Sequence, residues 1–250
     1  MGFEIHILAK NEEVILPYTI RHYSTFCSRI ILHDLGSTDG TIHIAKAAGI
    51  EVREWDSRGE FNDLLNKKIK DEAWRGTDAE WVAPVDADEF LYFPLGAGNT
   101  LSAYKGMNFP VIKAFGFEMI SDSLPTGPGQ IYDEIKSGAR DDRWYGKPIL
   151  IQSRIVATVD FGVGADQIKG TFKAGGEFGN PTHFAVPPTY LLHFHQCGPI
   201  ERTAALYDER RRILAPINVQ NRWGNIDDSG IKHATDKRRY IMDRLERVIP

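Results

Sequence analysis

Two carboxylates one residue apart, Asp86 and Asp88, directly follow an apolar run at residues 80–85. Carboxylate oxygens are hard ligands of the kind that Mg²⁺ and Mn²⁺ prefer. A divalent cation held here could neutralise the charge that develops on a diphosphate leaving group. An aspartate pair with this spacing is common by chance, so a turn or a helix cap is the alternative for the pair taken alone.

Two imidazoles stand one residue apart in the run 190–195, which is typical of a short strand. Because side chains alternate along a strand, His193 and His195 should lie on one face of it. Neutral imidazole binds Mn²⁺ and Zn²⁺ well. The pair therefore predicts contact with a metal or a diphosphate. A zinc hydrolase site and a polar strand face with hydrogen-bonded histidines are the alternatives.

A third polar cluster, residues 34–41, is dense in turn-forming residues. Its glycines let the backbone approach a nucleotide closely, and Asp34 could accept a hydrogen bond from a base or a ribose. Asp39 could cap the following helix. A loop and a cap with no ligand is the alternative for this cluster taken alone.

The elements that carry these clusters alternate in type over the first hundred residues. The pattern predicts strands at 3–9, 29–33, 50–55 and 80–85 and helices at about 12–26, 41–48 and 61–74. Asn11 is a candidate cap for the first helix, which Pro17 should bend or delay. Such alternation indicates βαβ units and a largely parallel sheet, in which ligands bind at the carboxyl ends of the strands. The polar clusters stand at those ends.

The later chain is less regular. We expect strands near 111–119 and 149–159, a mobile loop over the site at 162–188, and the strand at 190–195. From Pro199 onward the pattern predicts one or two helices, broken near Pro216 and at 225–230. Arg210–Arg212 and Lys237–Arg239 make this tail basic, so it could clamp a diphosphate or a phospholipid-linked acceptor, or simply pack on the domain.

Three segments in this order resemble the GT-A-fold glycosyltransferases, in particular their family 2-like group. They are Ala9-Lys10-Asn11-Glu12-Glu13, Asp34-x-Gly-Ser-Thr-Asp-Gly-Thr and Asp86-x-Asp-Glu-Phe. The similarity is close over residues 3–95 and looser up to His193. It implies an α/β fold of the GT-A (Rossmann-like) type: a mixed, mostly parallel central sheet with helices on both faces, plus a C-terminal helical tail. It also implies a catalytic domain at 1–200, with a nucleotide-sugar half at 1–95 and an acceptor half at 96–200, and an extension at 201–250.

The resemblance also implies roles for single residues. Ala9, Asn11 and Glu12 should line the nucleoside pocket, and Asp34 should contact the base or ribose. Asp86 should face the ribose or sugar and share the metal with Asp88, and a late histidine, His193 or His195, should complete the metal shell. Asn62, 24 residues before Asp86, stands near the position of a donor-binding residue, although capping of its own helix explains it equally well.

An inverting transfer needs a carboxylate that removes the acceptor proton. Many members of the group carry a Glu-Asp pair in a late loop, and this sequence has no clear pair there. We take Asp166 as the first candidate for the base, with Asp122, Glu118 and Asp141 as alternatives.

Composition narrows the remaining classes. The chain has 250 residues, is 42% hydrophobic and 26% charged, and carries a net charge of −4, which does not favour a nucleic-acid partner. No apolar run is long enough for a bilayer, and no basic-then-apolar leader opens the chain, so we expect a cytoplasmic protein with at most peripheral contact at the inner membrane face. Cys27 and Cys197, the only cysteines, do not suggest a disulfide framework.

The sequence thus predicts a glycosyltransferase that depends on Mn²⁺ or Mg²⁺ and acts in polysaccharide or glycan assembly. Its donor would be a UDP-, GDP- or dTDP-linked sugar and its acceptor a glycan or a lipid-linked molecule. P-loop, G-x-G-x-x-G, G-x-S-x-G and H-E-x-x-H motifs are missing from the sequence. Alternatives are a nucleotidyltransferase, although the loop after the first strand lacks glycine, a non-catalytic nucleotide-sugar-binding protein, and a histidine–metal hydrolase.

Overall fold

A computed structural model describes residues 2–107, 109–163, 167–181, 184–224 and 228–250. Strands and helices alternate over the first part of the chain, as predicted. They are β1 Phe3–Ala9, α1 Leu16–Tyr23, β2 Arg29–Asp34, α2 Thr41–Ala47, β3 Glu51–Glu54, α3 Asp63–Glu72 and β4 Trp81–Asp86. Helix α1 starts later than predicted, with Pro17 in its first turn, where a missing backbone N–H leaves no bond unmade.

The central sheet has the strand order β3-β2-β1-β4-β9-β6, in which β9 is Pro148–Gln152 and β6 is Val111–Lys113. Pairs β1–β2, β2–β3 and β1–β4 are parallel, whereas β4–β9 and β6–β9 are antiparallel. Ile5 and Ile7 of β1 pack in one core cluster with Leu16 of α1, and Leu8 packs in another with Ile69 of α3. The predicted fold class, a mixed sheet with helices on both faces, is confirmed.

A second sheet begins where β4 ends. It has the order β14-β8-β7-β13-β5, and its strands are β5 Glu89–Tyr92, β7 Phe115–Ser121, β8 Ser137–Arg140, β13 Tyr190–Cys197 and β14 Glu246–Arg247. Strand β13 lies between β5, to which it is antiparallel, and β7, to which it is parallel. Short helices α4 Ala97–Lys105 and α5 Ile131–Glu134 complete this part. The turn at residues 87–88 therefore joins the two sheets.

The predicted mobile loop at 162–188 is wrong at residues 168–172 and 177–178, which form strands. Strands β10 Val156–Phe161, β11 Ile168–Phe172 and β12 Glu177–Phe178 form a small antiparallel sheet. It packs through Phe161 and Ile168 against Trp74, on the side of α3. A side chain at Gly170 would clash with the Thr158 carbonyl and the Phe178 ring, so this glycine serves close strand packing rather than a loop.

The C-terminal tail is helical, as predicted, and packs on the rest of the chain. Its helices are α6 Ile200–Arg212, α7 Pro216–Asn221 and α8 Gly230–Met242. Between α6 and α7, the strap at residues 213–215 pairs with Phe61, which donates to the Ile213 carbonyl and accepts from the Ala215 N–H. The tail therefore contacts the start of α3, while the domain division at residues 95 and 200 stays a prediction.

Two further features concern membranes and thiols. In the described ranges, every helix is too short or too polar to cross a bilayer. Cys27 and Cys197 are both free thiols, in agreement with the sequence.

Candidate functional site

Asp88, His193 and His195 meet at the turn between β4 and β5. The Asp88 Oδ2 lies 3.3 Å from the His193 Nε2 and 3.1 Å from the His195 Nδ1. One ligand atom from each residue lies within 4.8 Å of the others. The backbone N–H of Phe194 donates to the Asp88 carbonyl at 2.9 Å, which fixes β13 against the turn. The structure thus brings together three of the predicted metal ligands, here called the metal triad.

Strand alternation aims both histidines at this point, as the sequence predicted. Leu192 and Phe194, on the opposite face of β13, are fully buried in the hydrophobic core. Glu118 lies opposite His193 in the neighbouring strand β7 and accepts a hydrogen bond from its Nδ1 at 2.8 Å. That bond leaves the Nε2 of His193 facing Asp88. Glu118, one of the alternative candidates for the catalytic base, therefore orients the ring of His193.

The ionisable side chains of the triad shift one another's pKa values. Against the effect of burial, Asp88 and Glu118 hold the pKa of His193 well above its usual value. Against the same effect, His193 and His195 hold the pKa of Asp88 well below its usual value. A proton on the Nε2 of His193 thus supplies positive charge between two carboxylates. A divalent cation would supply that charge in its place.

The residues present fit such a cation. The buried Nε2 of His195 and Oε2 of Glu118 have no hydrogen-bond partner among the residues that the structure describes. Unpartnered buried polar atoms are rare and call for a ligand or a water. One carboxylate with two imidazoles suits Mn²⁺ or Zn²⁺ better than Mg²⁺, which prefers oxygen ligands alone.

Asp86 has other partners than the triad. Its Oδ1 lies 2.9 Å from the Nζ of Lys70, and its backbone N–H donates to Glu89 at 3.0 Å. Glu89 is fully buried and forms an ion pair with Lys147. The structure therefore places Asp86 in a pair with a lysine beside the triad, and its contact with a metal or a sugar stays a prediction.

The predicted nucleoside-pocket residues come together at the ends of β1 and β2. Ala9 is buried and lies opposite Asp34, whose carboxylate accepts from the N–H groups of Gly36 and Ser37. Asn11 accepts from the Thr38 N–H at 2.8 Å and donates to Glu209 of α6 at 2.9 Å. Asn11 has a left-handed φ of 57°, so the predicted capping of α1 by Asn11 is wrong. The nucleoside contacts of Ala9, Asn11 and Asp34 stay predictions.

Glu12 and Asn62 are the other two residues with a predicted role in donor binding. Burial and the nearby Asp88 raise the pKa of Glu12 to about 8, and Arg210 opposes them. Arg210 itself lies over the ring of Phe61, 4.2 Å from its centroid. Asn62 caps α3, where its side chain accepts from the N–H groups of the second and third helical residues. The capping role is confirmed, and contact of Glu12 or Asn62 with a donor stays a prediction.

The candidates for the base have different surroundings. Asp166 lies outside the described residues. Asp122 is almost fully exposed and pairs with Arg238 at 2.7 Å. Asp141 is buried, which raises its pKa, and accepts from the Trp144 N–H at 3.3 Å. In the described part of the chain, neither Asp122 nor Asp141 makes a direct contact with the triad.

Sequence reasoning missed the groups that surround the triad. Tyr145 stacks on His193 with ring centroids 4.4 Å apart, and Tyr207 lies 4.9 Å from His195. Against the effect of burial, the carboxylates of Glu89 and Asp86 raise the pKa of Lys147. The available signal for Lys147 was a third acid, Glu89, directly after the aspartate pair, because a buried carboxylate needs a cation.

No protein family matches the chain, and no curated protein does. Among solved structures, the chain is similar to TarS from S. aureus in complex with UDP, at 14% identity over 61% of this chain and 47% of that one (TM-score 0.39). For a second structure of TarS 1–349, the identity is 12%, the match covers 94% of this chain and 69% of that one, and the TM-score is 0.43. The chain is also similar to glucosyl-3-phosphoglycerate synthase from Mycobacterium tuberculosis with Mn²⁺, UDP and glucosyl-3-phosphoglycerate. The identity is 20%, the match covers 47% of this chain and 44% of that one, and the TM-score is 0.33. In two of these three structures the match covers less than half of the other chain, so the proposal of a function rests on the geometry of the site.

Proposed function

We propose that this chain is a metal-dependent glycosyltransferase that moves a sugar from a nucleoside diphosphate to a hydroxyl acceptor. One observation carries the proposal: the metal triad lies at the carboxyl end of β4, beside the loops that follow β1 and β2. In an open α/β sheet, ligands bind at these strand ends. A cation site there can meet the diphosphate of a nucleotide whose nucleoside lies along the Asn11 and Asp34 loops.

In this proposal each residue of the site has its own role. Asp88, His193 and His195 would hold the cation, which supplies charge neutralisation for a diphosphate leaving group. Glu118 fixes the orientation of His193. Arg210 adds positive charge next to Glu12, and the ring of Phe61 holds its guanidinium in place. The carboxylate of Asp34 shapes the nucleoside loop through its two backbone contacts.

The proposal keeps Asp166 as the base of an inverting transfer, with a glycan or a lipid-linked molecule as acceptor. An Asp166→Asn variant should bind donor and metal as the wild type does and should lose transfer, because the amide cannot take up the acceptor proton. Asp122→Asn is the control and should stay active, since that side chain is exposed. If the Asp166→Asn variant still transfers the sugar, Asp166 is not the base, and Asp141 is the next candidate.

Thermal unfolding with and without Mn²⁺ tests the donor half of the proposal. UDP comes first, because the matched TarS and synthase structures contain it, and GDP and dTDP follow. A diphosphate at a hundred times its Kd should stabilise the fold by about 2.7 kcal/mol, and only with metal present. Asp88→Ala should abolish this shift and Asp122→Ala should keep it. A normal metal-dependent shift in Asp88→Ala would overturn the assignment of the triad.

A histidine–metal hydrolase is the second candidate, because one carboxylate and two imidazoles also form a common zinc site. A hydrolase should be stabilised by Zn²⁺ or Mn²⁺ alone and by no nucleotide. A non-catalytic binding protein, in contrast, should bind the nucleotide sugar and release no free diphosphate. The same melting series, followed by a diphosphate-release assay, separates the three.

A further inference from the structure

A cleft of about 250 Å³ opens between the loop that follows β8 and helix α8. Two aromatic rings, three carboxylates, one lysine and one histidine line it. These residues are Asp141, Trp144, Asp228, His233, Asp236, Lys237 and Tyr240. The volume is below the roughly 300–1,000 Å³ of pockets for drug-sized ligands, so it suits a ligand of about one ring.

The cleft lies one side chain away from the metal triad. Tyr145 stacks on His193, and the Nζ of Lys237 lies 5.5 Å from the centroid of the Tyr145 ring. Tyr207, which packs on His195, meets the ring of His233 edge-on at 4.3 Å. Lys237 and His233 both line the cleft. A molecule in the cleft would therefore be a near neighbour of the cation site.

Two large aromatic side chains of the lining are exposed. Trp144 is 54% accessible and Tyr240 is 37% accessible. Arg143 lies 5.0 Å from the Trp144 ring centroid and Arg244 lies 4.0 Å from that of Tyr240, so each ring has a cation–π contact. Aromatic side chains offer large contact areas at low entropic cost. Their negative faces attract the C–H groups on one side of a sugar ring.

The charges of the lining favour a neutral ligand. Lys232, outside the lining, binds Asp228 at 3.0 Å and Asp236 at 3.2 Å. Burial lowers the pKa of His233, and Lys237 acts in the same direction, which favours the neutral imidazole. The three carboxylates of the lining outnumber Lys237 and Lys232, so the lining itself does not favour a phosphate, whereas carboxylates readily accept hydrogen bonds from hydroxyl groups.

We propose that the cleft between Trp144 and Tyr240 binds a neutral saccharide, as the acceptor subsite of the transfer. The role as acceptor rests on the glycosyltransferase function proposed above; the binding of a saccharide does not. The proposal excludes a phosphorylated acceptor at this position.

Binding of defined sugars tests the subsite. The probes are the methyl glycosides of glucose, galactose, mannose and N-acetylglucosamine, with glucose 6-phosphate as the anionic comparison, each measured by calorimetry with Mn²⁺ and UDP present. At least one neutral glycoside should bind, and Trp144→Ala and Tyr240→Ala should each weaken it by about tenfold or more. Trp144→Phe should keep most of the affinity. Phe109→Ala, at an exposed aromatic residue that does not line the cleft, should leave binding unchanged.

Three results would overturn the subsite: no neutral glycoside binds, glucose 6-phosphate alone binds, or the alanine variants at Trp144 and Tyr240 bind as well as the wild type. The affinity for UDP with Mn²⁺, measured on the same samples, should not change in any variant. Wild-type protein that fails to bind UDP but binds a glycoside would remove the proposed function and leave the saccharide site in place.

Discussion

Glu118 decides which nitrogen of His193 faces the cation site. Its carboxylate accepts from the Nδ1 at 2.8 Å, so the Nε2 lies toward Asp88. A carboxylate behind a metal-binding histidine also increases the basicity of the ring, which strengthens its bond to the metal. Glu118 would thus act on a cation bound at the triad through His193.

Replacing Glu118 by glutamine tests this link. The amide keeps the shape but loses the negative charge, so we expect Mn²⁺ affinity to fall by about 10- to 100-fold with the fold intact. Titration with Mn²⁺, followed by calorimetry, measures the change. Glu246→Gln, an exposed glutamate of the same sheet, is the matched control. Equal Mn²⁺ affinities in the wild type and Glu118→Gln would show that Glu118 does not support the triad.

Several contacts fix the start of helix α3, which carries the predicted donor residue Asn62 as its cap. Asn62 caps the helix, and the strap at 213–215 pairs with Phe61 just before it. Asp63 and Asn218 exchange two hydrogen bonds, N–H to Oδ1 at 3.2 Å and Nδ2 to Oδ2 at 2.8 Å. The tail helices thereby hold the first turn of α3 in position.

Two substitutions at Asn62 separate its two possible roles. Asn62→Ala should lower the free energy of unfolding by about 1 kcal/mol, because two helical N–H groups lose their acceptor. Asn62→Ser should keep most of the stability, since serine also caps helices. Urea unfolding measures both. If Asn62 also contacts the donor, Asn62→Ser should weaken UDP binding at unchanged stability; equal UDP affinities would leave the cap as its role.

The strands of the first sheet could be predicted because their signals are local. Apolar runs and the turn formers that follow them define β1, β2 and β4, and with them the positions of Asp34 and Asp88. The alternation around His193 also predicted its face correctly. Asn11 misled the prediction, because its left-handed backbone and its contacts with Thr38 and Glu209 depend on distant parts of the chain.

The contact between Glu118 and His193 could not be predicted, for a physical reason. Glu118 is 75 residues from His193, so only the pairing of β13 with β7 brings the two together. Strands β11 and β12 of the small sheet were missed because glycines such as Gly170 resemble a loop in sequence. Strand packing, which no short segment encodes, explains them.

The core as a whole holds histidines that stay neutral in the folded protein. His22 is buried among aromatic rings and lies 3.0 Å from the Leu91 carbonyl and 3.2 Å from the Tyr132 hydroxyl. Burial lowers its pKa to about 4, although the bond to Leu91 opposes the shift. Burial also lowers the pKa of His33, which pairs with His6 in the central sheet, to about 3. Folding therefore keeps protons off both side chains.

The stability of the fold should depend on pH through His22. The unfolded chain takes up a proton near pH 6.5 and the folded chain near pH 4, so stability is full above pH 6.5 and falls as the pH drops through this window. The loss should be about 1.4 kcal/mol per pH unit and on the order of 3 kcal/mol in total. Urea unfolding of the wild type and His22→Gln at several pH values isolates this contribution.

The His22→Gln variant should lose stability less steeply on acidification, because it lacks the titrating group. His43→Gln, at an exposed histidine of α2, is the matched control and should follow the wild type. Parallel curves for the wild type and His22→Gln would contradict the assignment of this pH dependence to His22.

The position of β13 between β5 and β7 has a consequence for synthesis on the ribosome. Until residues 190–197 have emerged, β5 and β7 each present an unpaired edge, and Asp88 and Glu118 lack the histidines that bind them. Nascent chains shorter than this should therefore expose strand edges to chaperones and to aggregation. Because β13 completes both the second sheet and the metal triad, the candidate cation site can form only after residues 190–197 have been synthesised.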